Sequence, residues 1–503
     1  MPVISAIDVG SNAIRMAIAS VEEKKTLQML CFCREPIRLG QDVFATSKIS
    51  AQTAQRSVEA FKKFRSIIDQ HHVDRIRALG TSALRESRNR IEFINEIAAA
   101  SGIEVTPIGG DEEARLVSRA VTSKVNLKSK NAALVNIGGG SAEVIILENG
   151  QVSTTESFRM GSVRLLQMFG NQNHDADNFI SLARDYLKPT GRFIKTRIGR
   201  RKLDLCIGTG GNVEVLGELR KQLLGKRSNE FLYAKELKQI LAELQAVSYE
   251  DRIINLKLRP DRADVILPAA VVLEFLLKQF DLSKVMIPHV SLKDGILIEL
   301  AEEIAGPDYI HLRNQVLQSV RVIGRKFDFD EKHAETVCFF AEQLFDAAQP
   351  LHGLDSNDRL ILSVTAWLHD IGQFININDH HKHSLYIINA SPIVGLTPIQ
   401  KKIVANVARY HNKSFPKLRH ENFISLSEED RERVKKLSAI IRLADAIDFE
   451  HVGRVVKLTA SMAKDCLILD LNGSSDLSLT KWAIRKQSTL FQDIFHMDVQ
   501  VNA

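Results

Sequence analysis

A chain that carries the same strand–glycine–strand hairpin twice has few folds open to it. Residues 5–19 read SAIDVGSNAIRMAIA and residues 133–147 read ALVNIGGGSAEVIIL. Each is an apolar run, one polar residue, a glycine turn with a serine, and a second apolar run. Apolar runs of this length bounded by glycine read as strands. Glycine turns let backbone N–H groups converge on an anion, because the backbone can approach closely and take unusual dihedrals. A third glycine junction, LDLCIGTGGNVEVLGEL at residues 203–219, joins an apolar strand to a helix. The duplication implies two similar lobes, each lending a phosphate-facing hairpin to a shared cleft. The copies differ at one informative position: the polar residue before the glycines is Asp8 in the first and Asn136 in the second.

The surrounding sequence alternates in the same way. TLQMLCFCREPIRL, RIRALGTSAL and IEVTPIGG read as strands, and ISAQTAQRSVEAFKKFRSIIDQHH and RIEFINEIAAASG as helices. Residues 1–130 and 131–305 are therefore expected to be two α/β lobes. From 306 to 449 apolar residues recur at helical spacing, which predicts an all-helical domain. Residues 450–503, with VVKLTASMAKDCLILDLNG, return to strand patterning and predict a small α+β domain.

Hydrophobic residues are 45% and charged residues 25% of the chain, the balance of an ordinary globular protein. No apolar run reaches the ~18 residues that span a bilayer, so no membrane partner is expected. The opening MPVISAIDVG has no basic leader, and the five cysteines are sparse, which points to the reducing cytoplasm. The Cys31/Cys33 pair reads as packed thiols rather than a redox or metal site. The net charge is +6, and RFIKTRIGRRK at residues 192–202 holds six basic residues and no acid. That run is either a solvated face or a patch that steers polyanions. No aromatic interleaving accompanies it, so nucleic acid is not expected as a partner.

Six spaced motifs carry a resemblance. AIDVGSNAIRM, GTSALRES, GGDEEARL, VNIGGGSAEV, RMGSVRL and IGTGGN occur in the order seen in the exopolyphosphatase/guanosine pentaphosphate phosphatase family. The resemblance implies two actin-like ATPase (ribonuclease H-like) lobes. It also implies hydrolysis of terminal phosphates from inorganic polyphosphate, from pppGpp, or from both, with Mg²⁺ or Mn²⁺. Such hydrolysis needs a positioned water, a base, and cations or N–H donors against the phosphate oxygens. Carboxylates at a helix start, such as Glu112 and Glu113, are common because they suit the helix dipole; the resemblance singles out Glu113 as the general base. Arg85 then becomes a phosphate clamp, and Asp8 and Glu143 become ligands of the metal or its water. Gly10, Ser11, Asn12, Gly138, Gly139, Gly140, Ser141, Gly208, Thr209, Gly210 and Gly211 become phosphate-binding.

Asn136 departs from the aspartate usual in that family. An amide oxygen can ligate Mg²⁺, but without a formal charge it binds more weakly. The expectation is an active enzyme with altered metal dependence. SLKDGIL also departs, with Lys293 and Asp294 where the family often has Arg-Glu.

The helical region carries a second resemblance. In TAWLHDIGQFININDHHKHSLYIINA, His369 and Asp370 sit side by side on a predicted helix, with His380, His381 and His383 following. His333, the His369–Asp370 pair and Asp445 match the four ligand positions of the HD superfamily of metal-dependent phosphohydrolases; His411 lies nearby in sequence. A second divalent metal, a hydrogen-bonded histidine network, and a wall or dimer surface for a long polyanion are all open for this domain. The chain as a whole is expected to be a homodimeric exopolyphosphatase. Conversion of pppGpp to ppGpp, and a non-catalytic polyphosphate or alarmone sensor, are the alternatives.

Overall fold

The two hairpins form the centres of two sheets. In the first, β1 (Val3–Val9) pairs antiparallel with β2 (Ile14–Val21), which places Asp8 opposite Arg15. β2 continues to β3 (Leu27–Glu35), and on the other side β1 lies parallel to β4 (Arg75–Gly80), then β5 (Val105–Pro107). The order is β3-β2-β1-β4-β5. The second sheet contains β6 (Ala132–Ile137), β7 (Ala142–Glu148), β8 (Gln151–Phe158), β9 (Leu205–Thr209), β10 (Phe231–Tyr233) and β11 (Lys284–Met286). Its order, β10-β11-β9-β6-β7-β8, repeats the first sheet strand for strand and adds β10 as an antiparallel edge. β6 is buried throughout and β1 at all but its first residue, as near-continuous apolar strands require when both faces are covered.

This computed structural model describes residues 1–22, 26–170, 176–198, 202–304, 309–391, 393, 395–473 and 476–502. It divides into two units, Met1–Pro307 and Asp308–Ala503. Residues 199–201 of the basic run, and the junction at 305–308, lie outside the described residues. Cys31 and Cys33 are free and half-buried, with their sulfurs 3.8 Å apart. Among the described residues no helix is long and apolar enough to cross a membrane.

Helix Ala51–Gln70 starts where Ser50 Oγ accepts the Thr53 N–H, a standard cap for otherwise unpaired first-turn donors. Its Phe61, Phe64 and Ile68 join the core of the first sheet. Helix Gly110–Lys124 carries Glu113 in its first turn. Helix Leu292–Ile304, which the sequence division placed with the second lobe, packs instead on β1 and on helix Gly110–Lys124. Gly295 is the reason: a Cβ there would overlap the Leu116 carbonyl, so the two helices touch backbone to backbone.

The second unit contains helices Tyr309–Lys326, Glu331–Ala347, Ser356–Leu368, His380–Ala390, Pro398–Tyr410 and Glu428–Ile447. A sheet of β12 (Val455–Met462), β13 (Cys466–Gly473) and β14 (Asp498–Asn502) follows. One core runs through both parts: Val337, Leu362 and Ile441 pack in the same cluster as Leu467, Leu469 and Phe491. Residues 450–503 therefore share the core of the helices, which supply apolar surface that three short strands cannot.

Candidate functional sites

In the first unit the hairpin turns meet face to face. A Cβ on Gly139 would come within 2.9 Å of Ser11 Cβ. Between the turns lies a cleft of about 60 Å³ lined by Asp8, Gly10, Ser11, Asn12, Glu113, Asn136, Gly138, Gly139, Ser141, Gly210 and Gly211. Arg15, Thr81, Ser82, Ile137, Asn212, Arg262, Ser291 and Leu292, which the sequence reading did not single out, complete the lining. Gly210 takes φ 99° and backs onto the Ile137 carbonyl, where a Cβ would sit at 2.6 Å. Only glycine fits there.

Gly140, Gly208, Thr209, Glu143 and Arg85 do not line this cleft. Gly208 is packed inside β9, where a Cβ would come within 2.8 Å of both Val213 and Val285. Arg85 donates to the Ile108 carbonyl at 2.6 Å. Asp8 is paired with Arg15 at 2.7 Å.

Asn136 is the hub of a polar network. Thr209 Oγ1 donates to Asn136 Oδ1 at 3.2 Å, and Asn136 Nδ2 donates to Glu143 Oε2 at 2.8 Å and to Glu113 Oε1 at 3.2 Å. The reverse orientation would aim an acceptor at two carboxylates. Glu143, fully buried, also accepts from Ser141 at 2.6 Å and Ser157 at 3.0 Å, so both its oxygens are occupied. The amide makes this possible: an ionised aspartate at position 136 has no hydrogen to give either glutamate.

Burial, followed by the like charges of Glu143 and Asp8, holds Glu113 well above the usual carboxylate range, while Arg85 and the Asn136 hydrogen bond pull it back. Burial also raises Glu143, against its three hydrogen bonds. The Glu113 Oε2 atom is buried with no hydrogen-bond partner. A carboxylate in that state fits a cation, a water or a substrate proton. Among the described residues the cleft carboxylates do not converge as a three-ligand set. That suits Mg²⁺, which commonly takes one or two carboxylates and draws its other ligands from phosphates and water.

Arg262 is 5% exposed and donates to Asn212 Oδ1 at 2.5 Å. Burial and the positive charges of Arg15 and Arg34 push its pKa down, so the guanidinium lacks sufficient counter-charge. A phosphate in the cleft would supply it.

In the second unit, His333 lies on helix Glu331–Ala347 and Asp445 on helix Glu428–Ile447. His369 and Asp370 are not inside a helix but at its exit: His369 caps the C-terminus of Ser356–Leu368 and Asp370 opens the following 3-10 turn. The fold brings all four together. His333 Nε2 and His369 Nε2 are 3.3 Å apart, and each is 3.4 Å from Asp445 Oδ1. Asp370 Oδ1 is 3.7 Å from His369 Nε2. His380 and His411, which the sequence reading noted without a role, also face Asp370.

Two sheets of one topology, with glycine hairpins facing across a carboxylate-bearing cleft, define a duplicated α/β protein built to handle phosphate. The chain belongs to the Ppx/GppA phosphatase family, whose model matches residues 17–304; a model of that family's domain III matches residues 317–485. Members of this family are phosphatases that hydrolyse phosphoanhydride bonds. A guanosine-5'-triphosphate,3'-diphosphate pyrophosphatase of Photobacterium profundum is 26% identical over 88% of this chain and 86% of its own length. A protein of the same name from Vibrio campbellii is 24% identical over 98% of this chain and 97% of its own. The crystal structure of an exopolyphosphatase from Cytophaga hutchinsonii, 26% identical, superposes with a TM-score of 0.55 and covers 60% of this chain and 98% of its own.

Proposed function

We propose that the cleft of the first unit, read as two actin-like lobes, hydrolyses the terminal phosphoanhydride of inorganic polyphosphate, with Glu113 as general base. The observation that carries this reading is the unpartnered, buried Glu113 Oε2 beside two facing glycine turns. Water gives its proton to Glu113 as its oxygen bonds to the terminal phosphorus. The bond from that phosphorus to the bridging oxygen breaks, and orthophosphate leaves. The raised pKa makes Glu113 a stronger base than a solvated carboxylate, and the low dielectric keeps the proton transfer local. N–H groups of Gly139 and Gly211, the Ser11 hydroxyl and the Arg262 guanidinium hold the phosphate oxygens, while Gly138, whose N–H donates to the Ser141 carbonyl, and Asn12, whose amide donates to the Asp261 carbonyl, shape the turns around them. Asp8 is the protein group that would hold Mg²⁺ or Mn²⁺ together with substrate oxygens; a bound ion would neutralise charge on those oxygens. Asn136 holds Glu113 and Glu143 in place without adding charge. Arg85 offsets their negative charge from behind.

Conversion of pppGpp to ppGpp is supported at least as well. The relatives named for guanosine-5'-triphosphate,3'-diphosphate match along both units, whereas the exopolyphosphatase match covers 60% of the chain. Both substrates present a terminal phosphoanhydride to the same turns. We propose further that His333, His369, Asp370 and Asp445 bind one divalent ion, as the HD resemblance implies, and that the enzyme acts as a homodimer in the cytoplasm. Purified full-length protein assayed for phosphate release from long-chain polyphosphate and from pppGpp, with Mg²⁺ or Mn²⁺, tests the function. No release from either substrate with either metal would overturn it, and the ratio of rates selects the substrate.

A further inference from the structure

Four histidines of the second unit are locked in one tautomer by their outer nitrogens. The Nδ1 atoms of His369, His380 and His411 lie 2.8, 2.9 and 2.6 Å from the carbonyls of Ala366, Ile377 and Ala408. His333 Nδ1 lies 2.9 Å from Asp448 Oδ2. A carbonyl only accepts, so each Nδ1 facing one must carry hydrogen, and the neutral ring then turns a bare Nε2 lone pair inward. His369 and His411 cap the ends of their helices, where carbonyls without an intrahelical partner are available for this.

The inward lone pairs meet in two places, not one. His333 Nε2, His369 Nε2 and Asp445 Oδ1 form a triangle with sides of 3.3, 3.4 and 3.4 Å. His380 Nε2, His411 Nε2 and Asp370 Oδ1 form a second with sides of 3.0, 3.2 and 3.2 Å. Two facing lone pairs repel unless a proton or a metal ion lies between them. Ligand atoms about 2.0–2.2 Å from an ion stand about 2.8–3.1 Å from one another in an octahedron and about 3.3–3.6 Å in a tetrahedron. Both triangles fall within that combined range. Asp370 belongs to the second triangle and lies 3.7 Å from His369 of the first, so its carboxylate spans them. His333, His369 and His411 are 1–2% exposed, while the Asp370 and Asp445 side chains retain 17–18%, which leaves an opening for solvent.

We propose that the second unit binds two divalent transition-metal ions bridged by Asp370: one at His333, His369 and Asp445, the other at His380 and His411. Imidazole-rich ligands select Mn²⁺, Co²⁺, Fe²⁺ or Zn²⁺ over Mg²⁺. This rests on the single-ion reading above and adds the second position. Ligand positions that the protein leaves open on neighbouring ions can take the oxygens of a phosphate ester.

The test is Mn²⁺ loading of the full-length protein, stripped with chelator and equilibrated in excess Mg²⁺ so that the cleft keeps its own ion. The expected result is two Mn²⁺ per chain by elemental analysis and an exchange-coupled electron paramagnetic resonance spectrum. His411→Gln and His380→Gln should each lower the stoichiometry to one and convert the spectrum to isolated Mn²⁺. One ion in the wild type, lost in His333→Gln but kept in His411→Gln, overturns the pair and leaves the single-ion reading standing. Two uncoupled ions overturn the bridge, and no bound ion overturns both readings. The wild-type measurement decides alone if a variant fails to fold.

Discussion

Replacing Glu113 with glutamine should move activity and stability in opposite directions. Glutamine keeps the volume and keeps an oxygen to accept from Asn136, which donates to Glu113 Oε1 at 3.2 Å. It removes a buried charge that faces Glu143 and Asp8, although its amide NH2 takes the unpartnered position of Oε2. A buried group left unsatisfied costs about 1–3 kcal/mol, more when it is charged. Glu113→Gln is therefore expected to be ~1–3 kcal/mol more stable than wild type at pH 8 without metal. The midpoint of the unit should rise by roughly 2–4 °C per kcal/mol. The sign of the pH dependence follows from burial and like-charge repulsion, which raise the native pKa of Glu113 above its unfolded value. The native state then binds this proton more readily than the unfolded chain. The penalty is absent below the ordinary glutamate range, grows as pH rises, and is complete above the raised native pKa. Scanning calorimetry of both proteins in EDTA at pH 5 and pH 8 should show a gap at pH 8 that closes at pH 5. Phosphate release by the variant should fall by roughly 10²–10⁴. A gap of equal size at both pH values, or a variant within tenfold of wild-type activity, would refute the reasoning.

Asn136→Asp removes two hydrogen bonds and adds a charge, so the Mg²⁺ needed for half-maximal release should drop about tenfold; an unchanged requirement in a metal titration contradicts the role given to the amide. Arg262→Gln should lower kcat/KM by roughly 10–100-fold, the equivalent of one or two charge-assisted hydrogen bonds; initial rates within threefold of wild type would remove Arg262 from the phosphate-binding set. Gly295→Ala forces helix Leu292–Ile304 away from the Leu116 carbonyl. It should cost ~1–3 kcal/mol as an overpacking change, and activity should fall because the helix it is pushed against, Gly110–Lys124, carries Glu113. Denaturant melts and rates on the same preparation check both effects.

The duplicated hairpin was legible because its signal is local: apolar period, glycine turn and serine all fall within fifteen residues. The lining residues Gly10, Ser11, Asn12, Gly138, Gly139 and Ser141 came with it, whereas Glu113 came only with the family resemblance. Long-range packing was not legible. Gly208 reads like a loop glycine but is fixed inside β9 by Val213 and Val285, and no nearby residue announces that. Helix Leu292–Ile304 follows the second lobe in sequence yet buries Ile296, Leu297 and Leu300 in a core with Ile4 and Ala6 of β1. Arg262 sits in a short segment, RPDRADV, that reads as an ordinary charged turn. Its importance comes from burial against Asn212 and the cleft, a tertiary property. The asparagine that looked like a missing ligand proves to be a donor to two carboxylates, which follows from which atoms face it and not from the motif.

Hydrolysis in ¹⁸O-labelled water, with the released orthophosphate and the shortened product analysed separately by mass spectrometry, tests most directly whether water attacks the terminal phosphorus. The expected result is one ¹⁸O in each orthophosphate and none in the remaining chain or nucleotide. Label in the shortened product, or orthophosphate released without label, would contradict it.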